Sequence, residues 1–366
     1  MPVQPLSAAD ALTRIDAFDA IIDARSQSEW ALDRLPGALN WPSLTDAERA
    51  RVGTLYAQVS PFEAQKVGAA LVARNIAAHI EREAMGLPKS WQPLIYCWRG
   101  GKRSGALAHV LGQIGWRVHV IEGGYKAFRK AMLEDLPERV APLSWRVLCG
   151  ATGSGKTRLL HALRQAGAQT LDLEALASHR ASVLGQVPGQ PQPGQKHFEM
   201  LLWDALRRCA PDRPVYIEAE SKKVGDLAVP EPLIAAMRAG ACLHVQLPED
   251  ERVALLLEDY PYFVSDPELF CERLTALTAL RGHAVVDEWI ASVRAGCIQA
   301  VVRDLLARHY DPGYTASTRR NFARFDAALP IALADRSPAA MRRAAEEILA
   351  QDAGGGSYET ICPSKS

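Results

Sequence analysis

The sequence has no net charge, no closely spaced cysteine pair and no long hydrophobic run. Its 42 basic and 42 acidic residues cancel, so a nucleic acid would have to be held by a local basic patch. The seven scattered cysteines include no C-x-x-C pair and fit neither a disulfide framework nor a zinc site. No segment approaches the roughly 18 apolar residues of a membrane span, and no secretory signal is recognisable. We therefore expect a cytoplasmic protein without a membrane partner.

The length and the alternation of apolar patterns predict two α/β domains. The chain has 366 residues, 48% of them hydrophobic and 23% charged, which is typical of soluble globular proteins. Short apolar runs alternate with helical patterns in both halves, which favours parallel sheets. Within the second half, near-fourfold spacing of apolar residues predicts one long helix over 284–309. The predicted segments are a first domain at 14–137, a P-loop NTPase-like domain with a helical C-terminal part at 144–350, and a disordered tail at 352–366.

Residues 150–157 (GATGSGKT) match the G-x-x-x-x-G-K-[ST] pattern of a P-loop in full. A strand-like run precedes them and a helical run follows, which is the context that the pattern requires. The glycines let backbone N–H groups approach phosphate oxygens, the lysine reaches the outer phosphates, and the threonine hydroxyl can bind Mg²⁺. The alternative is a glycine-rich turn without a ligand. The residues that we expect to bind phosphate are Gly150, Gly153, Gly155, Lys156 and Thr157.

The P-loop pattern does not identify what carries the phosphates. A P-loop recognises a diphosphate whatever organic group is attached to it, so a nucleotide is not implied. The strand-like run at 215–217 leads to Glu218 and Glu220 and not to the usual aspartate. Either carboxylate is a candidate ligand of Mg²⁺, or alternatively an ion-pair partner of Lys222 or Lys223. No cofactor is firmly implied, and Mg²⁺ is the one candidate.

Cys97 follows a strand-like run and opens the loop 97–103 (CWRGGKR). A thiolate is stabilised by a loop that is rich in backbone N–H groups, carries basic side chains and opens a helix. Gly100 and Gly101 let successive N–H groups converge on one point, which makes a nest for an anion. The sequence therefore predicts a reactive nucleophile at Cys97. The alternative is a buried cysteine at the end of a strand.

Residues 14–137 resemble the rhodanese superfamily. The resemblance rests on the Cys97 loop and on residues 22–26 (IDARS), 35–40 (LPGALN) and 121–125 (IEGGY), in that order. Rhodanese-like domains carry a persulfide, or its selenium counterpart, on the loop cysteine, which implies that role for Cys97.

The spacing of Cys97 and Arg103 also satisfies the C-x5-R pattern of cysteine phosphatases, some of which share the rhodanese fold. A loop of that size suits a tetrahedral anion. Tyr96, however, stands where many such phosphatases have histidine. A rhodanese-fold cysteine phosphatase coupled to a P-loop kinase-like domain is therefore the alternative interpretation.

A rhodanese-like domain followed by a P-loop domain is similar to the tRNA 2-selenouridine synthase family, over nearly the whole chain to about residue 326. Two residues depart from the pattern of that family. Ala181 stands where glycine is expected, and Lys102 stands where methionine is common. Further stretches that carry the resemblance are 172–180 (DLEALASHR), 195–199 (QKHFE), 218–225 (EAESKKVG) and 310–314 (YDPGY).

The resemblance implies a two-stage reaction on the wobble 2-thiouridine of tRNA. A geranyl group from geranyl diphosphate is placed on the sulfur, and selenium from selenophosphate then displaces the geranylated sulfur to give 2-selenouridine. Cys97 would carry the selenium, Arg99 and Arg103 would bind the oxyanion, and Lys156 and Thr157 would bind the diphosphate.

The implied partners are tRNA, bound through its anticodon region, and a selenophosphate-supplying enzyme. The net charge gives no information about an RNA site, so only local basic residues can be examined. For each of them, a solvated basic face is the alternative. The candidates for tRNA contacts are His179, Arg180, Lys222 and Arg319.

Overall fold

The chain divides into two compact units. The structure is a computed structural model and describes residues 2–180, 182 and 184–353. One unit comprises Met1–Glu138 with Pro193–Asp204, and the other comprises Arg139–Gln192 with Ala205–Ser366. Each unit contains a five-stranded parallel sheet with helices around it. The α/β class predicted from the sequence is therefore confirmed.

The first unit is built on a five-stranded parallel sheet whose central strand is buried along its whole length. Its elements in chain order are β1 Gln4–Leu6, α1 Ala8–Thr13, β2 Ala20–Asp23, α2 Gln27–Leu32, β3 Leu39–Asn40, α3 Asp46–Gln58, α4 Pro61–His79, β4 Pro93–Tyr96, α5 Lys102–Ile114, β5 His119–Ile121 and α6 Gly124–Val140, with single turns at Ile15–Ala17 and Ile80–Ala84. The strand order is β1-β5-β4-β2-β3. Ile22 and Ile95 on adjacent strands pack with Leu107 and Leu111 of α5, which is the apolar face that the helical spacing predicts.

Cys97 lies directly after β4, between the ends of β5 and β2. Carboxyl ends of parallel strands meet at the same edge of a sheet, where ligands usually bind. The loops that follow these strands are joined by backbone hydrogen bonds. The N–H of Ala24 donates to the carbonyl of Tyr96 at 2.9 Å, and the N–H of Tyr125 donates to the carbonyl of Cys97 at 2.8 Å. The cysteine loop is thus held from both sides.

The second unit carries a parallel sheet and a group of helices after it. The elements from residue 145 onward, all of which belong to this unit except most of α9, are β6 Trp145–Cys149, α7 Lys156–Gln165, β7 Gln169–Leu171, α8 Leu173–Ala177, α9 Gln195–Leu206, β8 Val215–Glu218, β9 Lys223–Val224, β10 Leu227–Ala228, α10 Glu231–Ala239, β11 Ala241–Gln246, α11 Glu249–Asp259, α12 Pro261–Ser265, α13 Pro267–Thr275, α14 Thr278–Arg281, α15 His283–Arg294, α16 Ile298–Leu305, α17 Asp311–Asn321, β12 Leu329–Ala332 and α18 Pro338–Ala353, with single turns at Leu306–Tyr310 and Phe325–Ala327. The strand order is β12-β11-β6-β8-β7, and β9 and β10 form a separate antiparallel pair. Leu159 and Leu163 of α7 pack with Met341 and Ile348 of α18 in the core.

Helix α9 groups with the first unit as far as Asp204, although the sequence boundaries place it in the second domain. The ring of Trp203 meets that of Phe128 edge-on at 5.7 Å, and its Nε1 donates to Asp135 at 2.8 Å. His197 Nδ1 lies 3.2 Å from a carboxylate oxygen of Asp33. The first unit is therefore discontinuous in sequence.

The prediction of one long helix over 284–309 is wrong. Helix α15 ends at Arg294 and α16 begins at Ile298. Gly296 between them has φ +81°, a left-handed conformation that ends helices. The N–H of Cys297 donates to the carbonyl of Ser292 at 2.9 Å, which closes the first of the two helices.

The last helix extends into the predicted tail. Asp352 and Ala353 belong to α18, and the Asp352 carboxylate accepts hydrogen bonds from Tyr216 and, at 2.9 Å, from Nε of Arg146. The rest of the predicted tail, residues 354–366, lies outside the described residues. Within the described ranges, no helix is both long and apolar enough to cross a membrane.

Candidate active site

The sulfur of Cys97 lies in a cradle of hydrogen-bond donors. The Ser104 hydroxyl is 3.1 Å from Sγ, and the backbone N–H of Gly101 is 3.3 Å from it. Ser104 stands in the first turn of α5, so the positive end of the helix faces the sulfur. Burial raises the pKa of the Cys97 thiol, but these hydrogen bonds outweigh burial and hold the pKa below its usual value. The loop therefore favours the thiolate, which is the nucleophilic form.

Two glycines make the loop possible. Gly100 has φ +64°, and a Cβ there would lie 2.7 Å from the carbonyl of Ile121 and 2.9 Å from the nitrogen of Gly123. Gly124 has φ +59°, and a Cβ there would collide with the carbonyl of Cys97. The loops after β4 and β5 thus touch through their backbones, which is the close approach that glycine allows.

The basic residues of the loop differ in their surroundings. Arg99 and Lys102 are exposed. Arg103 is largely buried, and its Nη1 donates to Glu29 at 2.6 Å. Burial raises the pKa of Glu29, but the hydrogen bond and charge of Arg103 outweigh it, so the pKa of this carboxyl is below its usual value. Arg103 thus has a carboxylate partner, whereas the phosphatase alternative requires it to bind phosphate.

An aromatic pair beside Cys97 rests on a buried polar network. Trp98, 36% exposed, stacks on Tyr125 with ring centroids 5.3 Å apart. The Tyr125 hydroxyl donates to Asp33, and the Arg25 guanidinium lies 4.3 Å from the centre of the tyrosine ring. Arg25 is fully buried and is paired with Asp23 at 2.6 Å. Every charged group in this network therefore has a partner, and the network supports the Tyr125 ring on which Trp98 stacks.

The P-loop joins β6 to α7 in the second unit. Gly153 and Gly155 have φ +76° and +90°, so both positions need glycine. A Cβ on Gly150 would lie 2.6 Å from the carbonyl of Val245, so this glycine allows close packing of the loop. Lys156 Nζ donates to the carbonyl of Gly150 at 2.7 Å and lies 3.4 Å from that of Ala151. The lysine is therefore held over the loop that we expect to bind phosphate.

Two side chains from distant segments hold the P-loop from outside. The N–H of Gly150 donates to the Tyr314 hydroxyl. Arg252 donates to the carbonyl of Thr152 through Nη2 at 2.8 Å and is paired with Asp311 at 2.7 Å. Burial raises the pKa of Tyr314, so its hydroxyl stays protonated. Helices α11 and α17 thus fix the shape of the loop.

Glu218 ends β8 directly beside the P-loop. It is 5% exposed, and its Oε1 has no hydrogen-bond partner among the described residues. Burial and the charge of Glu174 raise the pKa of Glu218 to about 8, against the opposing effects of Lys156 and the Thr157 hydroxyl. Burial and the charge of Glu218 also raise the pKa of Glu220. Both glutamates line a cavity of about 390 Å³ with the P-loop.

Two family models match this chain. A family model described as the rhodanese-like domain matches residues 7–131, and one described as the tRNA 2-selenouridine synthase AAA domain matches residues 143–272. The tRNA 2-selenouridine synthase of Aeromonas salmonicida is 35% identical over 83% of this chain and 88% of its own length. The chain belongs to the tRNA 2-selenouridine synthase family. Those of Cupriavidus necator and Shewanella halifaxensis are 38% and 31% identical, each over 80% of this chain and over 81% and 87% of their own lengths.

Members of the tRNA 2-selenouridine synthase family are tRNA-modifying enzymes, so this chain is one. The four basic residues predicted to contact tRNA differ in their surroundings. Arg180 lines the P-loop cavity, lies 4.8 Å from the ring centre of Tyr260 and is 3.8 Å from Asp259. His179 is half-buried, and burial lowers its pKa. Lys222 and Arg319 are 62% and 61% exposed. Their ion-pair partners are Glu231 at 3.6 Å and Asp326 at 2.8 Å. Of the four, only Arg180 lines the P-loop cavity.

Four residues of the two candidate sites, Ser104, Glu29, Arg252 and Tyr314, were not predicted from the sequence to have a role there. Ser104 had a readable signal, because it stands one turn into the helix that follows the cysteine loop. Tyr314 lies in the stretch 310–314 that carries the family resemblance, but no role was predicted for it. Glu29 and Arg252 had no signal, because each is far in sequence from the loop that it contacts.

Proposed function

We propose that this chain geranylates the wobble 2-thiouridine of tRNA with geranyl diphosphate and then replaces the sulfur with selenium from selenophosphate. The observation that carries the proposal is the occurrence of two anion-binding loops in one tRNA 2-selenouridine synthase chain. One loop presents a thiolate at Cys97, and the other presents a P-loop beside a cavity of about 390 Å³. A two-stage reaction needs both, since alkylation uses a diphosphate leaving group and selenation uses a phosphate-like donor.

In the first stage, the P-loop binds the diphosphate of geranyl diphosphate. The sulfur of 2-thiouridine attacks the first carbon of the geranyl group, the C–S bond forms, the C–O bond to diphosphate breaks, and the uracil ring loses its N3 proton. Lys156 and the backbone N–H groups of the loop stabilise the negative charge that develops on the leaving diphosphate. S-alkylation matters because a thiocarbonyl sulfur leaves poorly, whereas a thiol leaves readily.

The residues around the P-loop fit a magnesium ion. Mg²⁺ is commonly held by one or two carboxylates together with substrate phosphates, so it needs few protein ligands. Glu218 offers a buried carboxylate oxygen that lacks a partner among the described residues, next to the Thr157 hydroxyl. Bound Mg²⁺ would neutralise charge on the diphosphate.

In the second stage, selenium is delivered at the Cys97 loop. Selenophosphate binds in the Cys97 loop, with its oxyanion on the exposed Arg99 and the backbone N–H groups. The Cys97 thiolate attacks phosphorus, so that the S–P bond forms, the P–Se bond breaks and selenide is released beside the uridine. Water later cleaves the S–P bond, which gives phosphate and restores the thiolate. At the uridine, the C2–Se bond forms, the C2–S bond breaks and geranyl thiol leaves. Arg103 supports this loop through Glu29, 2.6 Å away.

The tRNA would bind through its anticodon region, where the wobble base is unpaired and accessible. Arg180 is the best placed of the basic candidates because it lines the P-loop cavity. An enzyme that supplies selenophosphate is the second partner that the reaction requires. The cysteine phosphatase alternative is weakened by the engagement of Arg103 with Glu29 and by the family membership.

The proposal is tested by reconstitution. The purified chain is incubated with 2-thiouridine tRNA, geranyl diphosphate, Mg²⁺ and selenophosphate, and the digested nucleosides are identified by mass spectrometry. We expect 2-selenouridine with all components, and S-geranyl-2-thiouridine when selenophosphate is left out. Absence of geranyl-uridine and seleno-uridine under these conditions would contradict the proposal.

Two substitutions separate the two stages. Lys156→Ala should abolish geranylation yet still convert tRNA that already carries the geranyl group. Cys97→Ser should give the reverse, with the geranylated intermediate accumulating and no selenation. Each variant is the control for the other, because a folding defect would not give opposite patterns. Full geranylation by Lys156→Ala, or normal selenation by Cys97→Ser, would remove the residue from its assigned stage.

A further inference from the structure

A second cavity in the second unit opens next to the P-loop cavity. It is lined almost entirely by apolar side chains from α11, α12, α13 and α16, among them Leu256, Phe263, Phe270, Ile298, Val302 and Leu305. Buried side chains of α12, α13 and α16 belong to an apolar cluster distinct from the core that supports the sheet, whereas Leu255 of α11 belongs to that core. The cavity is not needed to support the P-loop, because α18 and the sheet already pack against the helix that follows that loop.

The two cavities share a wall. Thr152 of the P-loop, Ser182, Leu256, Tyr260 and Tyr310 line both of them. A molecule whose phosphates lie on the P-loop therefore reaches the apolar cavity directly with the group that it carries. A nucleotide would bring a polar base and ribose, which need hydrogen-bond partners when buried. The lining offers few of them, so it favours an aliphatic group.

The sizes of the cavities indicate how such a group would be divided between them. The P-loop cavity measures about 390 Å³ and the apolar one about 50 Å³. We therefore expect a chain of five carbons to stay within the larger cavity, and only the distal end of a ten-carbon chain to enter the smaller one. The narrow cavity would therefore act on the distal end of the chain and be sensitive to the volume of each side chain that lines it.

We propose that the apolar cavity binds the distal end of the alkyl chain of the diphosphate held by the P-loop, and that Val302 limits the length of that chain. This inference rests on the proposed function, and it deepens it by naming the cavity and the side chain that set the length of the alkyl chain. Val302 is half-buried, lines the apolar cavity, and does not line the P-loop cavity. A larger side chain there fills the cavity without touching the phosphate site.

The test compares Val302→Phe with Ala300→Phe in the full chain. Ala300 lies on the same helix, is exposed and does not line the cavity, so it controls for an added phenyl ring. Calorimetric titration with Mg²⁺ uses geranyl diphosphate, dimethylallyl diphosphate and inorganic diphosphate. We expect Val302→Phe to weaken geranyl diphosphate binding by about tenfold or more, since burying each methylene contributes measurably to affinity. Binding of the two smaller ligands should be unchanged, and Ala300→Phe should match the wild type for all three.

A second variant keeps the inference testable if Val302→Phe does not fold. Val302→Ala enlarges the cavity and should raise the affinity for farnesyl diphosphate, which has five more carbons, relative to geranyl diphosphate. An unchanged ratio would overturn the inference, as would equal binding of geranyl diphosphate by the two phenylalanine variants. Geranyl transfer to tRNA by the wild type is measured in parallel. If it occurs while the variants show no chain-length effect, the inference fails and the proposed function stands; if it does not occur, the proposed function fails.

Discussion

The hydroxyl of Ser104 lies 3.1 Å from the sulfur of Cys97 and donates a hydrogen bond to it. The two residues are seven positions apart, and the glycine turn between them brings the first turn of α5 back to the end of β4. This contact, together with the Gly101 N–H, favours the thiolate in a site that is otherwise buried. The reactivity of Cys97 therefore depends on Ser104, which does not contact the tRNA in the proposed reaction.

Ser104→Ala should raise the pKa of Cys97 by roughly one unit, because a hydrogen bond to a charged group contributes about 1.5 kcal/mol or more. The measurement is the rate of Cys97 alkylation by iodoacetamide as a function of pH, read on the Cys97 peptide by mass spectrometry. Ser90→Ala, at an exposed serine of the same unit, is the control. An unchanged pH profile in Ser104→Ala would show that the hydroxyl does not stabilise the thiolate.

Gly100→Ala should destabilise the first unit by about 2 kcal/mol or more, since the left-handed backbone and the close carbonyl both oppose a Cβ. Gly105→Ala is the matched control, because it lies in α5 and its Cβ would meet nothing within 4 Å. Urea unfolding of both variants gives the comparison. Equal midpoints would mean that the loop rearranges without cost.

Arg103→Met should destabilise the first unit more at pH 7 than at pH 3. The pKa of Glu29 is lowered in the folded protein, so its pairing stabilises the fold above the ordinary glutamate pKa and is lost as the pH falls through the lowered value. We expect a loss of about 1–3 kcal/mol at pH 7 for this partly buried pair. Lys66→Met removes an exposed pair with Glu63 and should change stability by about 0.5 kcal/mol or less at either pH. A loss for Arg103→Met that is independent of pH would rule out the ion pair as its cause.

Glu218→Gln should raise the Mg²⁺ concentration needed for geranyl diphosphate binding by about tenfold or more, because it removes the buried carboxylate proposed as a ligand. The fold should be retained at pH 7, since the Glu218 pKa of about 8 means that the protonated, neutral form already predominates without ligand. Glu231→Gln, at an exposed carboxylate, is the control. Mg²⁺ titrations of the three proteins provide the measurement, and identical curves would exclude Glu218 as a ligand.

Sequence patterns within short segments correctly predicted the strands and helices next to the two candidate sites. The apolar run before Cys97 is a buried strand, the spacing after Ser104 is a helix, and the full P-loop pattern lies between β6 and α7. Periodicity alone failed at Gly296, where one helix was predicted across a left-handed residue. The glycine itself was the available signal, since glycine within a helical pattern often marks an end.

Contacts between distant segments were not predictable in the same way. Tyr314 holds the P-loop from 164 residues away, and Glu29 holds Arg103 from 74 residues away. The apolar cavity needs four helices that assemble from residues 249–305, and no single stretch of them shows that a cavity forms. Such features depend on the packing of distant segments, which local sequence patterns do not specify.

Helix α9 has a consequence for how this protein can be divided. A fragment that stops at residue 138 leaves Phe128 and Asp135 without Trp203, and exposes apolar surface that α9 covers. A fragment that starts at residue 139 carries α9 without the surface on which its fully buried Phe198 and Trp203 pack. We therefore expect that the chain cannot be divided at residue 138 into two parts that each fold, and that the Cys97 site would have to be isolated together with α9.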